Sequence, residues 1–191
     1  MDLGVKDGTV RLCEYDPEWA AEAARMISRL EKLLAGQDIY EYQHVGSTAV
    51  PGMPAKPIID IAAAIMDESV VERCRPLLEA DGFGYYGKIK DDDWMYYTGH
   101  PGMKDHTHHI HFVTAGSEVW TNYLAFRDYL TAFPEAAGKY EEVKRMAARK
   151  MPGQREEYQK EKDSVIQEIH DQAIRWWNGK KGIFSLISLS A

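Results

Sequence analysis

The stretch IYEYQHVGSTAVPGMPAKPIIDIAAAI, from Ile39 to Ile65, decides the fold predicted for this chain. It contains two strand-like apolar runs, joined by a linker that begins at Gly46-Ser47 and ends near Lys56. A single carboxylate, Asp60, stands inside the second run. Burying an unpaired charge costs roughly several kcal/mol even after relaxation. We therefore expect Asp60 to be paired, hydrogen-bonded or bound to a metal.

The composition is that of an ordinary folded protein. The chain has 191 residues, of which 45% are hydrophobic and 28% charged, and its mean hydropathy is −0.46. This length predicts a single domain, residues 1–191, whose helical C-terminal part spans residues 117–178. The formal net charge of −7 argues against broad nucleic-acid binding, which needs a basic face, although a local patch can still hold a small anion.

The two ends of the chain and its cysteines favour a cytoplasmic protein. The start, MDLGVKDGTVRL, lacks a cationic segment followed by an apolar one. The end, GIFSLISLSA, is too short to span a bilayer, so no membrane contact is expected. Cys13 and Cys74 fit no metal-ligand spacing and are expected to be reduced. The sequence leaves the oligomeric state open.

Hydrophobic periodicity predicts an α+β fold with a C-terminal helical layer. Strands are expected at Thr9–Tyr15, Ile39–Val45, Pro57–Met66, Phe83–Lys90, Trp94–Thr98 and His108–Thr114. Helices are expected from Asp16 to about Gly36, at Ser69–Ala80, and from a cap at Ser117 to about Trp177, with breaks at Pro134 and Pro152-Gly153. The acidic run Asp91–Asp93 is expected to be a solvated hairpin turn.

The first candidate for chemistry is Gly46-Ser47-Thr48. A glycine directly after a strand lets the backbone turn sharply, and the following amides and hydroxyls can donate to phosphate oxygens. Lys56 would meet either a phosphate or Asp60 if the linker folds back. An ordinary turn is the alternative interpretation, because short motifs of this kind often occur without a ligand.

The second candidate is the histidine cluster that ends in HTHHIH, residues 106–111. Five of the seven histidines fall between His100 and His111. In a strand, His109 and His111 point to one face while His108 points to the other. Two imidazoles on one face can chelate a transition metal or act as acid, base or phosphate donors. The alternative is one core histidine with surface neighbours, and His106 and His108 are expected to lie outside the site.

Several separated motifs together resemble the GrpB family. The chain is similar to it in HVGSTAVPG (residues 44–52), AKPIIDI (55–61), THHIH (107–111), LAFRDYL (124–130) and the spacing from Tyr158 to Lys162. The resemblance covers about residues 10–177. It implies a nucleotidyltransferase-like fold, a mixed β-sheet flanked by helices in which Gly-Ser opens the first helix after a strand and an Asp follows on the next strand. Similar domains occur fused to dephospho-CoA kinase.

The resemblance also implies a set of site residues and a departure from active relatives. Nucleotidyltransferases carry two carboxylates at alternate positions of that strand, but here the alternate position after Asp60 is Ala62. His109 and His111 stand on the later strand instead, and this donor set suits Zn²⁺, Mn²⁺, Ni²⁺ or Fe²⁺ better than Mg²⁺. The predicted catalytic and metal-binding residues are Asp60, His109 and His111. The predicted phosphate- or substrate-binding residues are His44, Gly46, Ser47, Thr48, Lys56, Arg127 and Lys162.

Two functions from different classes follow from these residues. The first is an enzyme that transfers nucleotidyl or phosphoryl groups with a divalent metal, in which Ser47 and Gly46 hold a phosphate. The second is a noncatalytic module that senses a nucleotide or another phosphometabolite in the same pocket. Ala62 favours the second function, and the dense His-Asp set favours the first. Arg127 and Lys162 are expected on C-terminal helices above the pocket, with surface ion pairing as their alternative role.

Overall fold

A computed structural model describes residues 2–6, 11–149 and 155–188. The chain divides into two compact units, Met1–Tyr123 and Leu124–Ala191. The single domain expected for residues 1–191 stays a prediction.

The first unit is built on a five-stranded mixed sheet. The strands of this unit are β1 (Val5–Lys6), β2 (Ile39–Val45), β3 (Ile59–Ile65), β4 (Gly84–Lys90), β5 (Asp93–Thr98), β6 (Asp105–His106) and β7 (His108–Thr114). The strand order in the five-stranded sheet is β2-β3-β7-β5-β4, in which β3 and β7 run parallel and the other neighbours are antiparallel. The short β1 pairs with β6 in a second, two-stranded sheet.

Helices complete both units of the described chain. A one-turn 3₁₀ helix at Ser47–Ala49 stands where the family resemblance implied that Gly-Ser opens a helix after a strand. The α-helices are α1 (Glu18–Leu33), α2 (Glu68–Ala80), α3 (Glu118–Ala132), α4 (Pro134–Arg149) and α5 (Arg155–Ser188). In the second unit, the Tyr129 hydroxyl donates to Gln172 Oε1 at 3.0 Å, and the Phe126 and His170 rings stack with centroids 4.2 Å apart. No helix of the described residues is long and apolar enough to cross a membrane.

The core of the first unit lies between one face of the sheet and the helices α1 and α2. The apolar stripe of α1 is buried at Trp19, Ala23, Met26 and Leu30. On β3, Ile59 and Ile61 belong to this core, whereas Asp60 lies between them and points to the other face because side chains alternate along a strand. The core therefore anchors the strand and leaves its carboxylate on the face away from α1.

Most predicted elements are confirmed, with small shifts at their ends. The Asp16 carboxylate accepts from the Glu18 amide at 2.9 Å and the Ser117 hydroxyl accepts from the Trp120 amide at 3.1 Å, so both predicted helix starts are confirmed. The break at Pro134 is confirmed, because α3 ends at Ala132 and α4 begins at Pro134. The predicted break at Pro152-Gly153 lies outside the described residues.

Two predictions about local structure were wrong. The strand expected at Thr9–Tyr15 is absent from its described part, residues 11–15, where Cys13 forms an isolated bridge with Ala55. The backbone of Cys13 pairs with Ala55 of the linker between β2 and β3, and residues 11–15 do not join the sheet. The acidic turn Asp91–Asp93 is only partly solvated, because Asp93 is completely buried at the start of β5. Asp93 has hydrogen-bond partners on β7 and α3, which make that burial tolerable.

Candidate functional site

Adjacent parallel strands bring the three predicted metal-binding residues together. The register of β3 with β7 places Asp60 beside His109 and Ala62 beside His111. The Asp60 Oδ1 atom lies 3.1 Å from His109 Nδ1 and 4.0 Å from His111 Nε2. One oxygen and two nitrogens, one from each side chain, all lie within 4.8 Å of one another. The strand alternation expected from the sequence is therefore confirmed for this pair of histidines.

The donor set fits a divalent transition metal. Zinc binds imidazole nitrogen and carboxylate oxygen at about 2.0–2.2 Å, so ligand atoms around one ion lie roughly 3–4 Å apart. The three donors have nearly this spacing, and their side chains are 27% (Asp60), 21% (His109) and 9% (His111) exposed. A group that is partly open on one side can hold an ion and still admit a further ligand. The Asp60–His109 hydrogen bond satisfies the carboxylate in part.

Gly46 lies against the Asp60 carboxylate. Its backbone has φ +71° and ψ −170°, a region that only glycine adopts readily. A Cβ atom on this residue would overlap Asp60 Oδ2. The sequence predicted that this glycine lets the backbone approach a ligand closely, and the group that approaches it within the chain is Asp60. The β2–3₁₀ turn thus sets the position of the Asp60 carboxylate.

The two hydroxyl residues of the Gly-Ser turn differ in whether their side chains can reach a ligand. Ser47 is partly exposed, and its hydroxyl forms no hydrogen bond with any side chain or backbone group of the described residues. Thr48 is buried, with only 2% of its surface exposed, and its Oγ1 lies 3.0 Å from His44 Nε2. Two predicted phosphate-binding residues, His44 and Thr48, are therefore engaged with each other beneath the turn.

The linker folds back, but within the described residues Lys56 does not pair with Asp60. Ala55 exchanges two backbone hydrogen bonds with Cys13, at 2.8 and 2.9 Å, and the Pro57 carbonyl accepts from Gly4 at 2.9 Å. These bonds tie the linker to the N-terminal segment. The Lys56 side chain is exposed and forms no ion pair within the described residues. Lys56 therefore lies on the surface of the linker.

The two predicted cations of the helical part lie in the second unit. Arg127 is on α3, and its Nε donates to Asp128 Oδ1 at 2.7 Å. That contact is the surface ion pairing named as its alternative role. Lys162 falls within α5, and its side chain lies outside the described residues. A role of either residue at the site stays a prediction.

The other histidines of the cluster have distinct positions. His108 faces the opposite side of the sheet, where its Nε2 lies 3.3 Å from Glu22 Oε1. Burial lowers the pKa of His108 to about 4, so that ring is neutral near pH 7. His106, expected outside the site, contacts it directly: its Nδ1 lies 3.1 Å from His109 Nε2 and its ring stacks on Tyr97.

Sequence reasoning missed Asp93 and Tyr123. The Asp93 carboxylate lies 3.1 Å from His111 Nδ1 and accepts from the Tyr123 hydroxyl at 2.8 Å. Burial and the neighbouring Asp93 charge raise the pKa of Tyr123 well above its ordinary value, so the phenol keeps its proton. A signal was present in the alternation of DWMYYT, which puts Asp93, Met95 and Tyr97 on the histidine face. Because Asp93 ends a run of three aspartates, the sequence instead favoured a solvated turn at this residue.

Comparison with known protein sequences identifies a family and relatives of this chain. The family described as GrpB protein matches residues 9–172. The chain is 32% identical over 171 residues to the UPF0157 protein YqkA of Bacillus subtilis, covering 90% of this chain and 49% of that protein. It is 30% identical to a dephospho-CoA kinase of Mycolicibacterium paratuberculosis, covering 87% of this chain and 46% of that protein. The chain thus spans about half the length of these two relatives.

Comparison with solved structures identifies the fold. The crystal structure of conserved protein GrpB from Enterococcus faecalis is 27% identical with a TM-score of 0.76, covering 87% of this chain and 99% of that chain. The Cid1 poly(U) polymerase with MgGTP bound is 16% identical with a TM-score of 0.53, covering 72% of this chain and 45% of that chain. The second likeness extends to the fold alone, and this fold is nucleotidyltransferase-like.

Proposed function

The chain belongs to the GrpB family, and we propose that its cluster of Asp60, His109 and His111 binds a divalent metal and, with it, a nucleotide or another small phosphorylated ligand. The observation that carries the proposal is the convergence of one carboxylate and two imidazoles from neighbouring parallel strands. The fold supports it, because a nucleotidyltransferase-like neighbour, Cid1, has been crystallised with MgGTP bound. The proposed reaction is transfer of a nucleotidyl or phosphoryl group.

The proposed roles of the protein residues follow from their positions. Asp60, His109 and His111 would hold the ion. The hydroxyl of the partly exposed Ser47, beside Gly46, would donate a hydrogen bond to a phosphate oxygen. A divalent ion at this point would neutralise phosphate oxygens and polarise the phosphorus centre. Lys56, exposed on the linker, would add positive charge around the phosphates. His109, more open than His111, would alternatively serve as acid or base.

The residue at position 62 decides which metal the site favours. Ala62 of β3 is fully buried beside His111 of β7. The site therefore lacks a carboxylate at the position where two-magnesium enzymes of this fold carry one. Mg²⁺ prefers six oxygen ligands, whereas imidazole suits Zn²⁺, Mn²⁺, Ni²⁺ and Fe²⁺. We therefore propose a single transition-metal ion in place of a magnesium pair.

The second candidate function is a noncatalytic sensing module for a nucleotide or phosphometabolite. Ala62 favours it, because one metal without a second carboxylate stabilises the charge of a transferring phosphoryl group less completely. A binding module would keep the same donors and the same Gly46-Ser47 turn. The two functions therefore differ in product formation and agree in ligand binding.

The test is a sequence of measurements on the whole purified chain. Zn²⁺, Mn²⁺ and Mg²⁺ are titrated by calorimetry into protein stripped with a chelator, and ATP, GTP, UTP and dephospho-CoA are then added to each metal-loaded sample. Thermal unfolding reports binding, because a ligand that binds only the folded state raises its stability. Chromatography of the nucleotide after incubation reports turnover.

Each outcome selects one conclusion. Nucleotide binding that depends on the metal, with product formed, supports the transferase. The same binding without product supports the sensing module. If none of the three metals binds and none of the four phosphorylated compounds raises the unfolding temperature, the proposed metal and phosphate site is wrong.

A further inference from the structure

The completely buried Asp93 bridges two proton donors next to the metal-binding cluster. Its Oδ1 lies 3.1 Å from His111 Nδ1, and its Oδ2 accepts from the Tyr123 hydroxyl at 2.8 Å. An ionised carboxylate can only accept hydrogen bonds, and a buried one requires donors. Among the described residues, these two groups are the side-chain donors that it has. The arrangement therefore demands a proton on each of them.

The geometry also decides which nitrogen of His111 carries its proton. The Tyr123 oxygen lies 3.0 Å from Nδ1, but its single proton is directed to Asp93 Oδ2. A lone pair on Nδ1 would face the lone pairs of Asp93 Oδ1 at 3.1 Å and repel them. A proton on Nδ1 turns the same contact into a charge-assisted hydrogen bond. A neutral imidazole has one proton, so the lone pair remains on Nε2.

We infer that Asp93 and Tyr123 are positioning residues that hold His111 as the Nδ1–H form, with the lone pair of Nε2 directed toward Asp60 as a metal ligand. This inference rests on the proposed metal site. Nε2 lies 4.0 Å from Asp60 Oδ1, far enough for an ion between them and too far for a direct hydrogen bond. A histidine that binds a metal generally donates its other N–H to a carboxylate or carbonyl, which fixes the ring and raises its basicity.

His109 has a different environment, and this contrast makes the inference specific. Its Nδ1 faces Asp60, and its Nε2 faces His106 Nδ1 at 3.1 Å. A bond between two imidazoles can form with the proton on either ring, so His106 does not dictate the protonated nitrogen of His109. Within the described residues, His111 therefore has a dedicated outer carboxylate, Asp93, whereas the outer partner of His109 is the imidazole of His106.

The test combines a spectroscopic measurement with metal titration. Long-range ¹H–¹⁵N NMR spectra of the metal-free, ¹⁵N-labelled chain at pH 7.5 identify the protonated ring nitrogen of His111, assigned with His111→Gln. Co²⁺, which reports its ligands by visible absorption, is titrated into the wild type and into Tyr123→Phe and Asp93→Asn. Tyr86→Phe, at a 65% exposed position, and Asp92→Asn, in the hairpin turn, are the matched controls.

We expect His111 to carry its proton on Nδ1, and both site variants to lose about 10- to 100-fold in Co²⁺ affinity with a changed absorption band. The controls should retain wild-type affinity. Tyr123→Phe removes one oxygen without changing the ring, so its metal-free unfolding temperature shows whether the fold survives. A proton on Nε2, a ring protonated on both nitrogens, or unchanged Co²⁺ affinity in a folded Tyr123→Phe variant would overturn the inference.

The two proposals fail in distinguishable ways. If the wild type binds no metal, the proposed function is wrong and His111 is not a ligand, whatever its proton position. If the wild type binds Co²⁺ while His111 carries its proton on Nε2, the metal site stands and the positioning role of Asp93 and Tyr123 is wrong.

Discussion

Asp60 and His109 face each other across neighbouring parallel strands, with Oδ1 3.1 Å from Nδ1, although 49 positions separate them in the chain. The contact depends on the pairing of β3 with β7 and on the turn at Gly46, which leaves room for the carboxylate. Alternation along each strand puts the two side chains on the face opposite the hydrophobic core.

Replacing Asp60 by asparagine should remove metal binding while leaving the fold intact. The substitution keeps the size of the side chain and removes the anionic oxygen that attracts the ion. At a Zn²⁺ concentration 100-fold above its Kd, the wild type should gain about 2.7 kcal/mol in the free energy of unfolding, and Asp60→Asn should gain almost nothing. Chemical denaturation with and without Zn²⁺ measures both. The control is Asp91→Asn, whose side chain is 97% exposed and which should respond like the wild type.

Adding a methyl group at Gly46 should destabilise the protein and disturb the site together. Alanine in this backbone conformation costs about 1–3 kcal/mol, and the new Cβ must displace the Asp60 carboxylate in addition. Gly52→Ala is the matched control, because Gly52 also has positive φ, +78°, but a Cβ there meets nothing within 4 Å. Urea denaturation and Co²⁺ titration check the result. If Gly46→Ala and Gly52→Ala lost the same free energy of unfolding and Gly46→Ala kept the wild-type Co²⁺ affinity, the close approach of Gly46 to Asp60 would be contradicted.

Shortening Leu30 in α1 should cost stability without affecting the metal. Leu30 is fully buried in the core on the side of the sheet away from Asp60, so Leu30→Ala should lower the free energy of unfolding by about 2–5 kcal/mol. Leu33→Ala, at a partly exposed position of the same helix, should cost less. Co²⁺ affinity of the folded Leu30→Ala protein should equal that of the wild type. A large loss of affinity would show that the core face and the site face are not independent.

The interaction between His100 and Asp105 should make the free energy of unfolding depend on pH in the acidic range. The Asp105 carboxylate accepts from the His100 backbone amide at 3.0 Å and lies 2.5 Å from His100 Nδ1, and the side-chain hydrogen bond is the main cause that lowers its pKa below 3.8. A carboxyl whose folded pKa is lowered stabilises the protein above its unfolded pKa, and this stabilisation is lost as the pH falls through the folded pKa.

Asp105→Asn should therefore be less stable than the wild type at pH 7, by about 1.5–3 kcal/mol for a hydrogen-bonded charge. The gap should begin to narrow as the pH falls below about 4, the ordinary pKa of an unfolded aspartate, and should narrow further as the pH falls toward the lower folded pKa of Asp105. Urea denaturation of both proteins between pH 7 and pH 3 measures the gap. A gap that stays constant over this range would mean that packing, and not the charge of Asp105, stabilises the segment.

The sequence alone predicted the five strands of the main sheet in their chain order and the side of each strand on which its residues lie. Ile59, Asp60 and Ile61 alternate, as do His109, Ile110 and His111, and a period of two assigns faces without knowledge of any partner strand. Helix caps at Asp16 and Ser117 were readable for a similar reason, since they depend on residues two or three positions away.

The tertiary structure decided which faces meet, because strand pairing and register depend on contacts between distant residues. Only the parallel pairing of β3 with β7 places Asp60 beside His109, and only the β5–β7 pairing brings Asp93 from an apparently solvated turn to the buried neighbourhood of His111. The same limit applies to Thr48, whose hydroxyl binds His44, and to Gly46, whose missing Cβ makes room for a carboxylate 14 positions later. Sequence periodicity specifies orientation within one element, whereas the distance between two elements is set by packing of the whole unit.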